Sequence, residues 1–148
     1  AFIALIAMVN GMLEAGGAWV GIEQLTLERV LGGLLQPLAW ALGIPWDEAQ
    51  LAGSLIGQKF ILNEFVAYVT FSEVAAQLSP HSQAIVIFAL CGFANLSSIA
   101  ILLGGLGAVA PGRRDDISRY GFRALIAASL SNLMSAALAG FFLALGAA

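Results

Sequence analysis

Two adjacent polar residues, Asn63 and Glu64, stand inside an otherwise apolar stretch, GQKFILNEFVAY, that runs from Gly57 to Tyr68. The chain on both sides is apolar enough to sit in a bilayer, where an acid costs about 2.5–3.5 kcal/mol on insertion scales. A carboxylate in that setting faces a cavity and serves a function. Composition puts the rest of the chain in the same medium: 60% of the 148 residues are hydrophobic and 10% charged, against about 25% charged residues in soluble domains. No basic patch suggests nucleic acid. Cys91 is alone, so the chain can form neither an internal disulfide nor a cysteine metal site.

In chain order the sequence reads as an all-α integral membrane fold of six parts. Residues 1–22 form the end of a transmembrane helix, which opens inside an apolar run with no initiator Met or basic flank. We read this start as that of a piece of a longer protein, its C-terminal part. Trp19 marks the interface, and Glu14 is read as lying near the helix exit rather than lining a cavity. Residues 23–44 mix Glu23, Gln24, Glu28, Arg29 and Gln36 with Leu27, Val30, Leu31, Leu34, Leu35 and Leu38. The apolar set follows helical spacing, which suits an amphipathic helix lying in the interface. Residues 45–78 begin with a helix-start signal, Pro45-Trp46-Asp47-Glu48. Their apolar pieces are all shorter than the ~20 residues a crossing needs. Two half-helices joined by a turn at Gly57-Gln58-Lys59 make a re-entrant hairpin, with Glu64 just past its tip near the bilayer midplane. Lys59 is either a salt-bridge partner of Glu64 or a cation at the tip.

Ser79-Pro80-His81-Ser82 reads as a surface loop, with His81 solvated. Residues 83–110 form a transmembrane helix broken in the middle by Cys91-Gly92-Phe93-Ala94-Asn95-Leu96-Ser97-Ser98, the small and polar pattern an unwound helix needs. Residues 111–123 carry four of the six basic residues and read as a cytoplasmic loop by the positive-inside rule. Residues 124–148 form the final transmembrane helix, running outward. The hairpin then opens to the outside. Ala127, Ser131, Ser135 and Ala139 make a small-residue stripe for packing, and Asn132 beside them is read as interhelical glue rather than a ligand.

Three blocks, GQKFILNEFVAY, ALCGFANLSSIAILLGGLGAVAP and SLSNLMSAALAGFF, together resemble the C-terminal half of the concentrative nucleoside transporters. The resemblance covers nearly the whole chain. It implies a trimeric symporter of inverted repeats, this chain forming the second repeat and the N-terminal half of the same transporter the first. By that resemblance Glu64, Asn95 and Ser98 bond the ribose, Phe93 packs on the nucleobase, and Asn63 joins the substrate site. The coupling ion, sodium or alternatively a proton, is implied to bind in the N-terminal half. No covalently bound cofactor is expected. The chemistry of the residues agrees, because ribose offers vicinal hydroxyls that an ionised carboxylate can accept from.

The expected activity is ion-coupled symport of a nucleoside such as uridine, by an elevator-like alternating-access cycle, in a bacterial inner (plasma) membrane crossed several times. An enzyme is not expected: one His, one Cys and no nucleophile–base motif offer too little chemistry. The alternative is a channel or structural membrane subunit, in which Glu64 is a structural acid paired with Lys59.

Overall fold

The computed structural model describes residues 2–22 and 25–146, so the reading of Glu23 and Gln24 lies outside the described residues. Its elements are helical throughout: α1 (Phe2–Val20), α2 (Leu27–Ala41), α3 (Trp46–Ile61), α4 (Glu64–Val74), α5 (Pro80–Leu90), α6 (Leu96–Val109) and α7 (Arg114–Gly146). Short 3-10 turns, Ala75–Gln77 and Pro111–Arg113, follow α4 and precede α7. Among the described residues one helical stretch, Pro111–Gly146, is long and apolar enough to cross a membrane.

α1 is tied to the start of α2 by polar groups. The Asn10 side chain accepts from the Leu27 amide at 2.8 Å and donates to Glu28 at 3.1 Å, capping the start of α2 from outside the helix. Thr26 supplies the regular N-cap, accepting from the Arg29 amide. Glu14 is exposed.

α2 lies back along α3, and three glycines bring the backbones together. A Cβ at Gly32 would meet the Gln50 carbonyl oxygen at 2.8 Å, and one at Gly57 would meet Leu31 Cβ at 2.7 Å. The contact face of α2 is Leu31, Gly32 and Ala39, with Leu35 and Leu38 against the core. Val30 and Leu34, read as part of the same apolar face, are exposed. At Gly53 the close neighbours are backbone atoms, Leu35 C at 2.9 Å and Gln36 N at 3.0 Å. Backbone cannot swing aside, so Gly53→Val should destabilise the protein by about 1–3 kcal/mol. Gly33→Ala, where the added carbon meets nothing within 4 Å, should be neutral or slightly stabilising. Thermal unfolding of the two variants in detergent checks the contrast.

Gly57-Gln58-Lys59 is not a turn. α3 runs through all three to Ile61, because Gly57 is needed small inside the helix, against Leu31. The chain reverses at Leu62 and Asn63 instead. Asn63 is extended (φ −170°, ψ 170°) and its side chain accepts from the Val66 amide at 2.9 Å, so it starts a new helix rather than continuing the old one. Gln58, also read into the turn, is buried, donates to Ser54 Oγ and accepts from Thr70 Oγ at 2.9 Å, holding α3 to α4.

Ser79 to Ser82 is likewise no loop. Ser79 caps α5 and Pro80 is its first residue, a pairing that suits a helix start, so His81 sits in the first turn. Glu48 in the first turn of α3 accepts from the Ser79 amide and hydroxyl, tying the base of the α3–α4 pair to the start of α5.

The core gathers Leu55 and Ile56 of α3, Ile85, Val86, Ala89 and Leu90 of α5, and Leu133 and Ala136 of α7. α7 has 33 residues and begins at Arg114. Of the loop read over residues 111–123, the part from Arg114 on is helix: charge does not prevent helix, and Asp115 and Asp116 in the first turn favour its start. The buried face of α7 is Ser129, Leu133, Ala136 and Gly140. Of the expected stripe, Ala127, Ser131 and Ser135 are exposed and Ala139 is half-buried; α5 enters at Gly140, where Ile85 would stand 2.6 Å from an added Cβ.

Candidate substrate site

Two interruptions of helix face one another. One is the Leu62–Asn63 reversal between α3 and α4; the other is the break from Cys91 to Asn95 between α5 and α6. Both restart with an asparagine cap. Asn95 is extended (φ −147°, ψ 169°) and its Oδ1 accepts from the Ser98 amide at 2.9 Å, as Asn63 does from Val66. Two helix N-termini, each with a partial positive charge, therefore open on one cavity of about 580 Å³ whose lining includes Asn63, Glu64, Phe93, Asn95, Ser97 and Ser98.

The structure brings all five residues singled out from sequence into this lining. Glu64 is the first residue of α4, half-buried, and its Oε2 accepts from Asn95 Nδ2 at 3.2 Å. Asn95 is buried and its amide is fully used, donating to Glu64 and to the Phe93 carbonyl and accepting through Oδ1 from Ser97 and Ser98. The Ser98 hydroxyl has one proton, shared between Asn95 Oδ1 at 3.0 Å and the Phe93 carbonyl at 2.7 Å. Phe93 stands 76% exposed. Glu64 Oε1 and Asn63 Nδ2 have no partner among the described residues. An acceptor and a donor are thus left open side by side in sequence, which is what a vicinal diol would engage. A second cavity of about 390 Å³, mostly apolar, shares Phe93 and Ser98 and reaches Gly121 and Leu125 of α7.

Lys59 is neither a tip cation nor an ion-pair partner of Glu64. It is wholly buried, one turn before the reversal, and its Nζ donates to Asn132 Oδ1 at 2.8 Å. Asn132 in turn donates to the Phe88 carbonyl at 2.9 Å, so it joins α3, α5 and α7. Arg113 and Asp116 do form an ion pair, at 2.8 Å. Sequence reasoning also passed over Ser97, whose hydroxyl reaches the Leu62 carbonyl at 3.2 Å and ties the two interruptions together. It passed over Tyr68 too, which donates to the Ile87 carbonyl at 2.9 Å and lies 3.1 Å from Cys91 Sγ. Their signal was an ordinary one, a hydroxyl within an apolar run.

Comparison with known proteins gives this arrangement a setting. The family described as Na+ dependent nucleoside transporter C-terminus matches residues 1–140. The chain belongs to that family. The resemblance read from its three blocks is borne out, and so is its all-helical fold class. Among relatives of this nucleoside-transporter chain, the nucleoside permease NupC of Helicobacter pylori is 47% identical over 152 residues, covering 99% of this chain and 36% of the permease. The sodium/nucleoside cotransporter 1 of Rattus norvegicus is 37% identical over 155 residues, covering 95% of this chain and 24% of the cotransporter. A solved structure of CNTnw in an inward-facing substrate-bound state superposes with a TM-score of 0.93 at 56% identity, covering 99% of this chain and 37% of that one. These relatives are transporters, not enzymes. The chain thus spans between about a quarter and somewhat over a third of their length.

Proposed function

We propose that this nucleoside-transporter chain forms the C-terminal part of an ion-coupled nucleoside symporter and supplies the ribose-reading side of its substrate site. The observation that carries the reading is the pair of open valences at the hairpin reversal: Glu64 Oε1, an acceptor, and Asn63 Nδ2, a donor, on a cavity also lined by Phe93, Asn95 and Ser98. Glu64 accepts from the ribose hydroxyls, with Asn63 beside it. Asn95 aims Glu64, Ser98 holds the Phe93 backbone, and the exposed Phe93 ring packs on the base. Charge-assisted bonds of this kind are about twice as strong as neutral ones.

In this reading α1 is a scaffold helix, α2 lies at the interface, and residues 45–78 are a re-entrant hairpin. α5 and α6 form a broken transmembrane helix, and the basic residues from Arg113 to Arg123 face the cytoplasm. The partners are the N-terminal part of the same transporter, a trimer of such transporters and the inner membrane of a bacterium. The coupled ion is sodium, as the family's description states for the family; its site is placed in the N-terminal part. The cycle is elevator-like.

Uptake into liposomes by the full-length transporter tests this. Uridine should accumulate under a sodium gradient, and 2′,3′-dideoxyuridine should be rejected on the order of 10²-fold or more, since the open valences would stay unpaired. Glu64→Gln should lose most of that preference. Equal transport of both substrates by the wild type would overturn the ribose role of Glu64; no uptake of either under a sodium or a proton gradient would overturn the symporter.

A further inference from the structure

Between α6 and α7 runs a seam that the ribose reading leaves unused. Its cavity of about 390 Å³ has Ile99 and Leu102 on one side and Gly121, Ala124 and Ala128 on the other. The three small residues lie at helical spacing on one face of α7, so they leave a trough in place of a packed contact. From Gly121 to Ala128 the trough extends about 10 Å along the helix axis. Leu102, Ala124 and Ala128 are exposed, so it opens to whatever surrounds the chain. Its inner end is the helix break: Phe93 and Ser98 line both this trough and the candidate substrate cavity.

The outer end carries a cation. Arg114 stands seven positions before Gly121, about two turns along the same face of α7. Its side chain lies across α6 at the buried Gly107, where an added Cβ would meet Arg114 Nε at 2.7 Å and Cγ at 3.1 Å. The other charges nearby are paired or lie off this face. Arg113 is paired with Asp116, and Arg119 stands over the Tyr120 ring, 5.7 Å from its centroid. α6 has no charged residue, and Asp115, next on α7, is turned about 100° from Arg114. Arg114 itself is exposed and has no hydrogen-bond or ion-pair partner among the described residues.

An apolar trough with one unpaired guanidinium at its mouth fits an amphiphile with an anionic head. Guanidinium matches phosphate oxygens bidentately, and the cytoplasmic leaflet supplies anionic lipid. We propose that the α6–α7 seam binds one anionic phospholipid, its phosphate on Arg114 and one acyl chain in the trough against Phe93. The occupied trough supports the Phe93 wall that the two cavities share, and so tightens nucleoside binding. The inference rests on the reading of α6 and α7 as membrane-spanning, with Arg113 to Arg123 at the cytoplasmic face.

The test uses the purified full-length transporter in vesicles of phosphatidylcholine alone, or of equal parts phosphatidylcholine and phosphatidylglycerol. Phosphatidylglycerol should tighten uridine binding by about fivefold or more, the low end of coupling between two sites. Arg114→Gln removes the cation and Ala124→Leu fills the trough. Both positions are exposed, so the fold does not depend on them. Both variants should lose the gain while binding uridine as the wild type does in phosphatidylcholine. Arg119→Gln removes an equal charge away from the seam and should keep the gain. Mass spectrometry of protein released from the mixed vesicles should find one more phosphatidylglycerol per chain in the wild type and Arg119→Gln than in the other two. No gain in the wild type, equal gains in all four proteins, or equal lipid retention overturns the proposal. A gain lost in Arg114→Gln but kept in Ala124→Leu would put the lipid outside the trough, and overturns it as well. If none of the proteins binds uridine in either vesicle, the nucleoside reading falls and the difference in lipid retention alone decides the seam. Failure to insert into either vesicle would overturn the membrane reading, and the proposal with it.

Discussion

Asn95→Ala should reduce nucleoside uptake by about two orders of magnitude, more than any other single change of the candidate substrate residues except at Glu64. Three functions leave with one side chain. The amide caps α6 through the Ser98 N–H at 2.9 Å, fixes the Ser97 and Ser98 hydroxyls, and donates to Glu64 at 3.2 Å. A lost cap costs about 1 kcal/mol, and a lost bond to a charged group about 1.5–3 kcal/mol. With about 1.4 kcal/mol per tenfold, the sum reaches roughly a hundredfold. Two further variants separate the parts. Asn95→Ser should restore much of the helix start without the donor to Glu64. Asn95→Asp should keep the cap but set a second carboxylate against Glu64, and so transport less than the serine variant. Initial uptake rates of the three, each normalised to protein in the membrane, check the order. Near-wild-type uptake by Asn95→Ala would mean that Glu64 needs no orienting partner.

Asn132→Leu should be the most destabilising conservative change in the described residues. Its Oδ1 is the hydrogen-bond acceptor of a wholly buried ammonium, and its Nδ2 covers a carbonyl at the helix break. Leaving a buried charged donor unpaired costs about 3 kcal/mol or more. Gly92 allows this packing: a Cβ there would lie 2.5 Å from Asn132 Oδ1, so Gly92→Val should weaken the same network without touching Lys59. The double variant Lys59→Met/Asn132→Leu removes both the charge and its partner and should recover most of the loss, because matched apolar replacements are often close to neutral. Unfolding temperatures in detergent for the two singles and the double complete a mutant cycle. Additive losses would show that Lys59 and Asn132 do not depend on each other.

Much of the site was legible because its chemistry conflicts with its medium. An Asn-Glu pair and a Gly-Phe-Ala-Asn-x-Ser-Ser run are expensive in an apolar chain, so their presence marks them. The turn was misplaced for a related reason. Gly57 looked like a chain reversal, yet a glycine in a helix serves equally to admit a neighbour, and only the position of Leu31 decides between the two. Asn63 and Ser79 carried the better signal. Each is a capping residue, and each starts a helix that composition alone would have merged with a turn or a loop. The role of Lys59 depended on residue 132, which lies 73 positions away in sequence. No local pattern shows which of two polar residues so far apart will meet. The packing face of α7 was equally out of reach, since Ser129, Leu133, Ala136 and Gly140 differ from the exposed Ala127–Ser131–Ser135 row only by which side α5 occupies.

The length of α7 works as a ruler. At ~1.5 Å per residue its 33 residues extend about 50 Å, well beyond the ~30 Å of a hydrocarbon layer. Arg123 is its last charged residue, and a helix that enters the hydrocarbon there carries Asn132, nine residues on, about 14 Å inward. Asn132 is level with Gly92 and Lys59, so Lys59 and the break beside it would lie about as far from water on either side as the bilayer permits. That is farther than the ~8 Å over which physiological salt screens charge. Raising ionic strength with an inert salt should leave the grip of this site on its substrate unchanged, whereas contacts made by Arg113–Arg123 should weaken.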